Sequence, residues 1–132
     1  MFICGKPGDY MKSCLIVDDS GVIRKIIRNI LEDLKVKCDE AADGQLAYDA
    51  CVKSMPDFIM LDWNMPVMNG LDFLKKLRQS PGGDKPVVIF CTTENDMAHI
   101  QMALEAGAND FIMKPFERDI LQSKLEMAGV LS

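Results

Sequence analysis

Short unbroken apolar runs alternate along the chain with longer stretches in which apolar residues recur every three or four positions. The two periods predict strands and helices in strict alternation. The first run, Cys14-Leu15-Ile16-Val17, ends in Asp18-Asp19 and reads as a strand covered on both faces. Ser20 is placed to cap a helix whose Val22, Ile23, Ile26, Ile27, Ile30, Leu31 and Leu34 recur at helical spacing, opposite Arg24, Lys25, Arg28, Glu32 and Asp33. The same rhythm predicts strands over Val36–Ala41, Phe58–Leu61 ending at Asp62, Val87–Cys91 and Asp110–Met113. Helices are predicted over Gly44–Ser54, Leu71–Gln79, Asn95–Ala106 closed by Gly107, and from Glu117 to about Met127. Pro56, Pro66 and the turn Ser80–Asp84 punctuate the series.

Five strand–helix units imply an α/β fold: a five-stranded parallel sheet with helices on both faces, because right-handed crossovers return each helix over the sheet. At 132 residues the chain holds one domain. Residues 1–12, with Gly5, Pro7 and Gly8 and little periodicity, read as a loosely held tail or an expression remnant with Met11 an alternative start, and residues 13–132 as the domain. Hydrophobic residues make up 48% and charged residues 27%, a balance that excludes a disordered chain.

Fifteen Lys and Arg against twenty Asp and Glu leave a net charge of −5 without a basic stripe, which argues against nucleic-acid binding. No apolar run approaches the ~18 residues of a membrane span, and Met1–Tyr10 lacks the pattern of a signal peptide, so a cytoplasmic location is expected. Cys4, Cys14, Cys38, Cys51 and Cys91 are odd in number and lack CxxC spacing, which fits reduced thiols, mostly in the core. His99, the one histidine, is expected on a helix surface. Ten methionines fit core filling, except that Met102 falls opposite a face formed by Met97, Ile100, Ala103 and Leu104 and is a candidate partner contact.

Ligands of open parallel sheets bind at the carboxyl ends of the strands. Those ends carry Asp18-Asp19, Asp62, Thr92-Thr93 and Lys114-Pro115, while the second strand ends in the inert Ala41-Ala42. Any one of these is an ordinary strand end or helix cap. Together, if the first and third strands are neighbours, three carboxylates and one ammonium leave a net −2 that one divalent cation cancels. Oxygen ligands favour Mg²⁺, with Mn²⁺ the alternative, over zinc.

Ile16-Val17-Asp18-Asp19-Ser20, the stretch Met60 to Leu71 through Asp62-Trp63-Asn64-Met65-Pro66, Thr92, and Ala106-Gly107-Ala108 followed by Lys114-Pro115-Phe116 resemble the receiver domain of bacterial two-component response regulators, and in particular stand-alone chemotaxis receivers. The resemblance runs from about Lys12 to the end. It implies the flavodoxin-like strand order 2-1-3-4-5, which is the documented order of that family rather than something the pattern shows. It further implies that Asp62 is the phosphoacceptor, whose carboxylate attacks the phosphorus of a phosphohistidine on a partner kinase to form an aspartyl phosphate. Asp19 and Asp62 would hold the metal directly, Asp18 through a water and Asn64 through its backbone carbonyl. Thr92 and Lys114 would contact phosphoryl oxygens, across a Lys114-Pro115 bond expected to be cis.

By the same resemblance Thr92 and Phe111 form the switch, acting on the surface made by the fourth helix, fifth strand and fifth helix. Asn64 and Glu94 sit where the family tunes phosphoryl lifetime. Many motor-binding chemotaxis receivers carry tyrosine where this chain has Phe111, so their hydroxyl-dependent contact is missing here. Expected partners are a sensor histidine kinase or histidine phosphotransfer protein and a downstream target protein, with no nucleic acid or membrane. The expected role is a signalling domain rather than an enzyme, apart from slow self-dephosphorylation. Two other readings remain at this stage: an interaction module that is not phosphorylated, and a metal-dependent phosphohydrolase, which usually carries a second acid where Asn64 stands.

Overall fold

A computed structural model describes residues 12–92, 97–114 and 116–131, without the side chain of Met97. The chain runs β1 (Ser13–Val17), α1 (Gly21–Asp33), β2 (Lys37–Ala41), α2 (Gly44–Lys53), β3 (Phe58–Asp62), α3 (Gly70–Arg78), β4 (Val87–Thr92), α4 (Met97–Glu105), β5 (Asp110–Met113) and α5 (Arg118–Met127). All strand pairings are parallel, in the order β2-β1-β3-β4-β5. The expected α/β alternation and the expected strand order both hold, with element ends moving by one or two residues.

Alternating side chains on each strand feed two cores, as the two-residue period of a strand requires. Cys14 and Ile16 of β1 join Ile27 and Leu31 of α1 and Leu121 and Leu125 of α5 on one face. Leu15 and Val17 join Ala47 and Cys51 of α2, Phe73, Leu74 and Leu77 of α3 and Ala103 of α4 on the other. β3 is buried along its whole length between the two layers. That arrangement explains its unbroken Phe-Ile-Met-Leu run and carries Asp62 to the end of a rigid central element.

Local capping sets where the helices begin. Ser20 Oγ accepts from Ile23 N at 3.3 Å, as the sequence predicts, and Asp43 Oδ1 and Asn69 Oδ1 accept from Leu46 N and Asp72 N, each at 2.8 Å. The Asn69 cap starts α3 at Gly70, one residue earlier than expected.

Three expectations need correction. Val22 and Ile26 are 70% and 49% exposed although they belong to the apolar series of α1. The sheet covers only the stripe through Ile23, Ile27, Ile30, Leu31 and Leu34, and their neighbours at 22 and 26 are rotated by about 100° from it. On α4, Ala103 is buried, but Leu104 is as exposed as Met102, so Leu104 does not share the buried face. His99 is half-buried rather than on the surface, its ring 4.7 Å from that of Trp63.

The described cysteines, Cys14, Cys38, Cys51 and Cys91, are buried free thiols, as expected. Core filling by methionine is only partial: Met60 is buried, Met55, Met65, Met68 and Met113 are half-buried, and Met102 and Met127 are exposed. No helix among the described residues is long and apolar enough to cross a membrane. Most of the expected tail, Glu94 and Pro115 with its peptide bond lie outside the described residues.

Candidate functional site

Because β1 and β3 are neighbours, their carboxyl ends bring Asp18-Asp19 and Asp62 to one crevice where the strand order reverses. One carboxylate oxygen from each of Asp18, Asp19 and Asp62 lies within 4.8 Å of the others. Asp18 and Asp62 are buried and Asp19 is exposed, so the cluster meets solvent on the Asp19 side. Lys114, one residue past β5, is positioned by its own N–H, which donates to Thr92 O at 2.8 Å. Its ammonium donates to Asp18 Oδ2 at 3.1 Å and to Asp62 Oδ1 at 3.2 Å.

Each buried carboxylate is further oriented by main-chain donors. Asp18 Oδ1 accepts from Ser20 N at 2.9 Å, and Asp62 Oδ1 from Trp63 N at 2.9 Å. Lys114 and Trp63 N both bond to Oδ1 of Asp62. Burial first, and then the charge of Asp18, push the Asp62 carboxyl above its ordinary pKa, while Lys114 and the Trp63 N–H pull the other way. Burial also opposes the charge of Lys114, but its hydrogen bonds and attraction to Asp18 and Asp62 outweigh it and hold the ammonium above its ordinary value. Cys91, the register partner of Asp62 on β4, is a buried core thiol that burial pushes up to about 12.

These donors fit a hard divalent cation. The ligand atoms are all oxygens, and three charges of −1 meet one of +1. Mg²⁺ suits that set because it keeps several waters and needs only one or two carboxylates.

Thr92 is buried at the end of β4, and Phe111 is half-buried on β5. With Trp63, Phe90 and residues of α4 they line a cavity of about 10 Å³, no larger than one water. The outer side of Phe111 meets Lys124, whose ammonium lies 5.0 Å from the ring centroid and pairs with Asp110 Oδ1 at 3.0 Å. Asn64 is exposed on the loop after Asp62.

The structure therefore brings together Asp18, Asp19, Asp62 and Lys114, sets Thr92 and Phe111 about one small cavity, and leaves Glu94 outside the described residues. Two contacts escaped the sequence reading. His99 meets Trp63 across the α4 boundary, and Arg24 Nη1 donates to the main-chain carbonyl of Asp18 at 2.7 Å. Helical spacing places Arg24 on the polar face of α1, but a hydrogen bond to a backbone carbonyl leaves no residue-type signal at its acceptor.

Comparison with known proteins gives a consistent picture. Residues 14–126 match the family described as the response regulator receiver domain. The chain is 41% identical over 114 residues to the chemotaxis protein CheY homolog of Campylobacter jejuni, covering 85% of this chain and 88% of that protein. It is 40% identical over 115 residues to chemotaxis protein CheY1 of Helicobacter pylori, covering 86% and 93%. Among solved structures, chemotaxis response regulator CheY4 of Vibrio cholerae is similar with a TM-score of 0.84 at 33% identity, over 89% of this chain and 98% of that one. The receiver domain of sensor histidine kinase PA1611 from Pseudomonas aeruginosa has a TM-score of 0.82 at 28% identity, over 89% and 96%, and carries a magnesium ion coordinated in its active site cleft.

Proposed function

The chain belongs to the response regulator receiver family, and from that premise we propose that Asp62 accepts a phosphoryl group from the phosphohistidine of a histidine kinase or phosphotransfer protein. The observation that carries the reading is the convergence of three carboxylate oxygens within 4.8 Å beside the Lys114 ammonium. Asp62 Oδ1 is held by Lys114 and Trp63 N, so the attacking oxygen in this reading is Oδ2. The new P–O bond forms as the P–N bond to the donor imidazole breaks, and the electron pair returns to that nitrogen. Asp19 and Asp62 would hold the ion directly, Asp18 through a water and Asn64 through its carbonyl. Bound there, the ion supplies neutralisation of charge on the transferring phosphoryl group.

The chain's own residues do the rest. Lys114 offers its ammonium to a phosphoryl oxygen, and the Thr92 hydroxyl donates to another. Drawing Thr92 toward the phosphoryl group enlarges the small cavity it shares with Phe111, and the ring follows. That movement reshapes the α4–β5–α5 surface for a downstream protein, a population shift driven by a local charge event. The acyl phosphate then hydrolyses slowly, at a rate tuned by Asn64 and Glu94. The protein would work in the cytoplasm, where a kinase and its Mg²⁺ are available.

The test is intact-mass measurement after incubation with Mg²⁺ and acetyl phosphate, alongside Trp63 fluorescence, for the wild type and Asp62→Asn. We expect one phosphoryl group per chain in the wild type, none in the variant, and a fluorescence change that needs the metal. Continuous phosphate release at many turnovers would instead indicate a phosphohydrolase. No modification of either protein would indicate a constitutive interaction module.

A further inference from the structure

We propose that Arg24 is a positioning residue of the acidic cleft, setting the Asp18–Asp19 peptide through the Asp18 carbonyl. The inference rests on the reading that this cluster holds a divalent cation. Asp18 is pinned at four atoms. Its N–H donates to Ala41 O at 3.2 Å, Oδ1 and Oδ2 accept from Ser20 N and Lys114 Nζ, and its carbonyl accepts from Arg24 Nη1 at 2.7 Å. The guanidinium does not float: its Nε donates to Glu40 Oε1 at 2.8 Å, on the edge strand β2.

The carbonyl matters because the peptide that follows it is planar, so the direction of C=O also sets the N–H and Cα of Asp19. Asp19 is exposed, and among the described residues no hydrogen bond orients its carboxylate. Its backbone is therefore what aims it, and Arg24 holds that backbone through the Asp18 carbonyl. The rigid fork of arginine suits the task, since one plane bridges an anion on β2 and a carbonyl at the end of β1.

Arg28 supplies a matched control within the same helix. It also donates to Glu40, with Nε 2.8 Å from Oε2, and it also holds a main-chain carbonyl, that of Cys38 at 2.9 Å. It carries the same charge but touches nothing at the cleft. Arg28 also pairs with Glu32 at 3.4 Å, so its removal costs two ion pairs and its hold on a carbonyl, against one ion pair and one carbonyl bond for Arg24, yet only Arg24 reaches Asp18. Charge and positioning also predict opposite signs. Loss of a nearby cation by itself tightens binding of a divalent cation, whereas loss of positioning weakens it.

Mg²⁺ titration followed by Trp63 fluorescence, with amide hydrogen exchange on the metal-free protein, tests the proposal in Arg24→Gln, Arg24→Lys and Arg28→Gln. We expect Arg24→Gln to weaken Mg²⁺ about tenfold, the low end for residues that orient a metal ligand. Arg24→Lys keeps the charge but lacks the fork, and it should weaken binding nearly as much. Arg28→Gln should stay within about twofold of the wild type. Exchange at the Asp18 and Ser20 amides, which donate to Ala41 O and Asp18 Oδ1, should accelerate in the two Arg24 variants and not in Arg28→Gln. Equal effects from both arginines, or tighter Mg²⁺ binding in Arg24→Gln, would overturn the proposal. A wild-type protein indifferent to Mg²⁺ would overturn the metal reading instead, and unchanged Asp18 and Ser20 exchange in Arg24→Gln would then still sink the role given to Arg24.

Discussion

Lys114 is the internal counter-ion of the cleft, and its replacement by glutamine measures what the metal-free protein owes to it. The ammonium side chain is 14% exposed and lies between carboxylates that are 3% and 12% exposed, at 3.1 and 3.2 Å. Glutamine keeps most of the length and removes the charge, so Asp18 and Asp62 face each other with only main-chain donors to hold them. Breaking a buried pair by removing one partner costs ~3–5 kcal/mol, and the partly open cleft places this case at about 3 kcal/mol near neutral pH. For a chain of this size that lowers the thermal midpoint by roughly 10 °C.

The deficit should depend on pH in a defined direction. The folded-state pKa of Asp62 is raised, by burial and then by Asp18, so its linked stability is full below the unfolded value and is lost as pH rises through the folded value. Lys114→Gln removes two influences that lower this pKa, moving it further up. The variant should therefore recover toward the wild type on acidification and differ most at neutral pH. Mg²⁺ at ten times its Kd stabilises a protein by about 1.4 kcal/mol, and the gain should be larger in the variant, where the ion no longer competes with an ammonium. Melting curves in EDTA and in Mg²⁺, from acid to neutral pH, provide the assay. Midpoints within 2 °C of the wild type under all these conditions, on the order of 0.5 kcal/mol, would refute the counter-ion argument.

Val67 is 81% exposed with φ of +69°, a conformation that costs a β-branched residue ~1–2 kcal/mol, so Val67→Asn should raise stability by about 0.5–1 kcal/mol in urea unfolding. A Cβ at Gly70 would collide with the Asp62 carbonyl oxygen and meet Phe90 at 2.9 Å, so Gly70→Ala should cost ~2 kcal/mol or more and weaken Mg²⁺ binding together, by melting and fluorescence titration. Arg78 donates to the carbonyls of Gly83, Pro86 and Gly107 and to Asn109 Oδ1, tying α3 to the segments before β4 and β5. Arg78→Ala, which leaves those carbonyls without their donor, should destabilise by ~2–4 kcal/mol in the same unfolding assay while leaving Mg²⁺ affinity near that of the wild type.

The order of apolar runs and helical stretches along the chain was enough to specify a parallel α/β sheet, because period and turn chemistry are local properties. The acids and the lysine at the strand ends were legible for the same reason: each strand terminates visibly in the sequence, and β3 announces its central place by being apolar at every position before Asp62. The order of the strands was not local, and it came from family resemblance. Only the tertiary structure decided what crosses between elements. Val22 and Ile26 lie off the covered stripe of α1, His99 packs on Trp63, and Arg24 reaches from α1 past Glu40 of β2 to a carbonyl at the end of β1. Such contacts depend on the rotation and separation of whole elements, and a backbone acceptor looks the same in every residue, so nothing in the pattern of side chains could have located them.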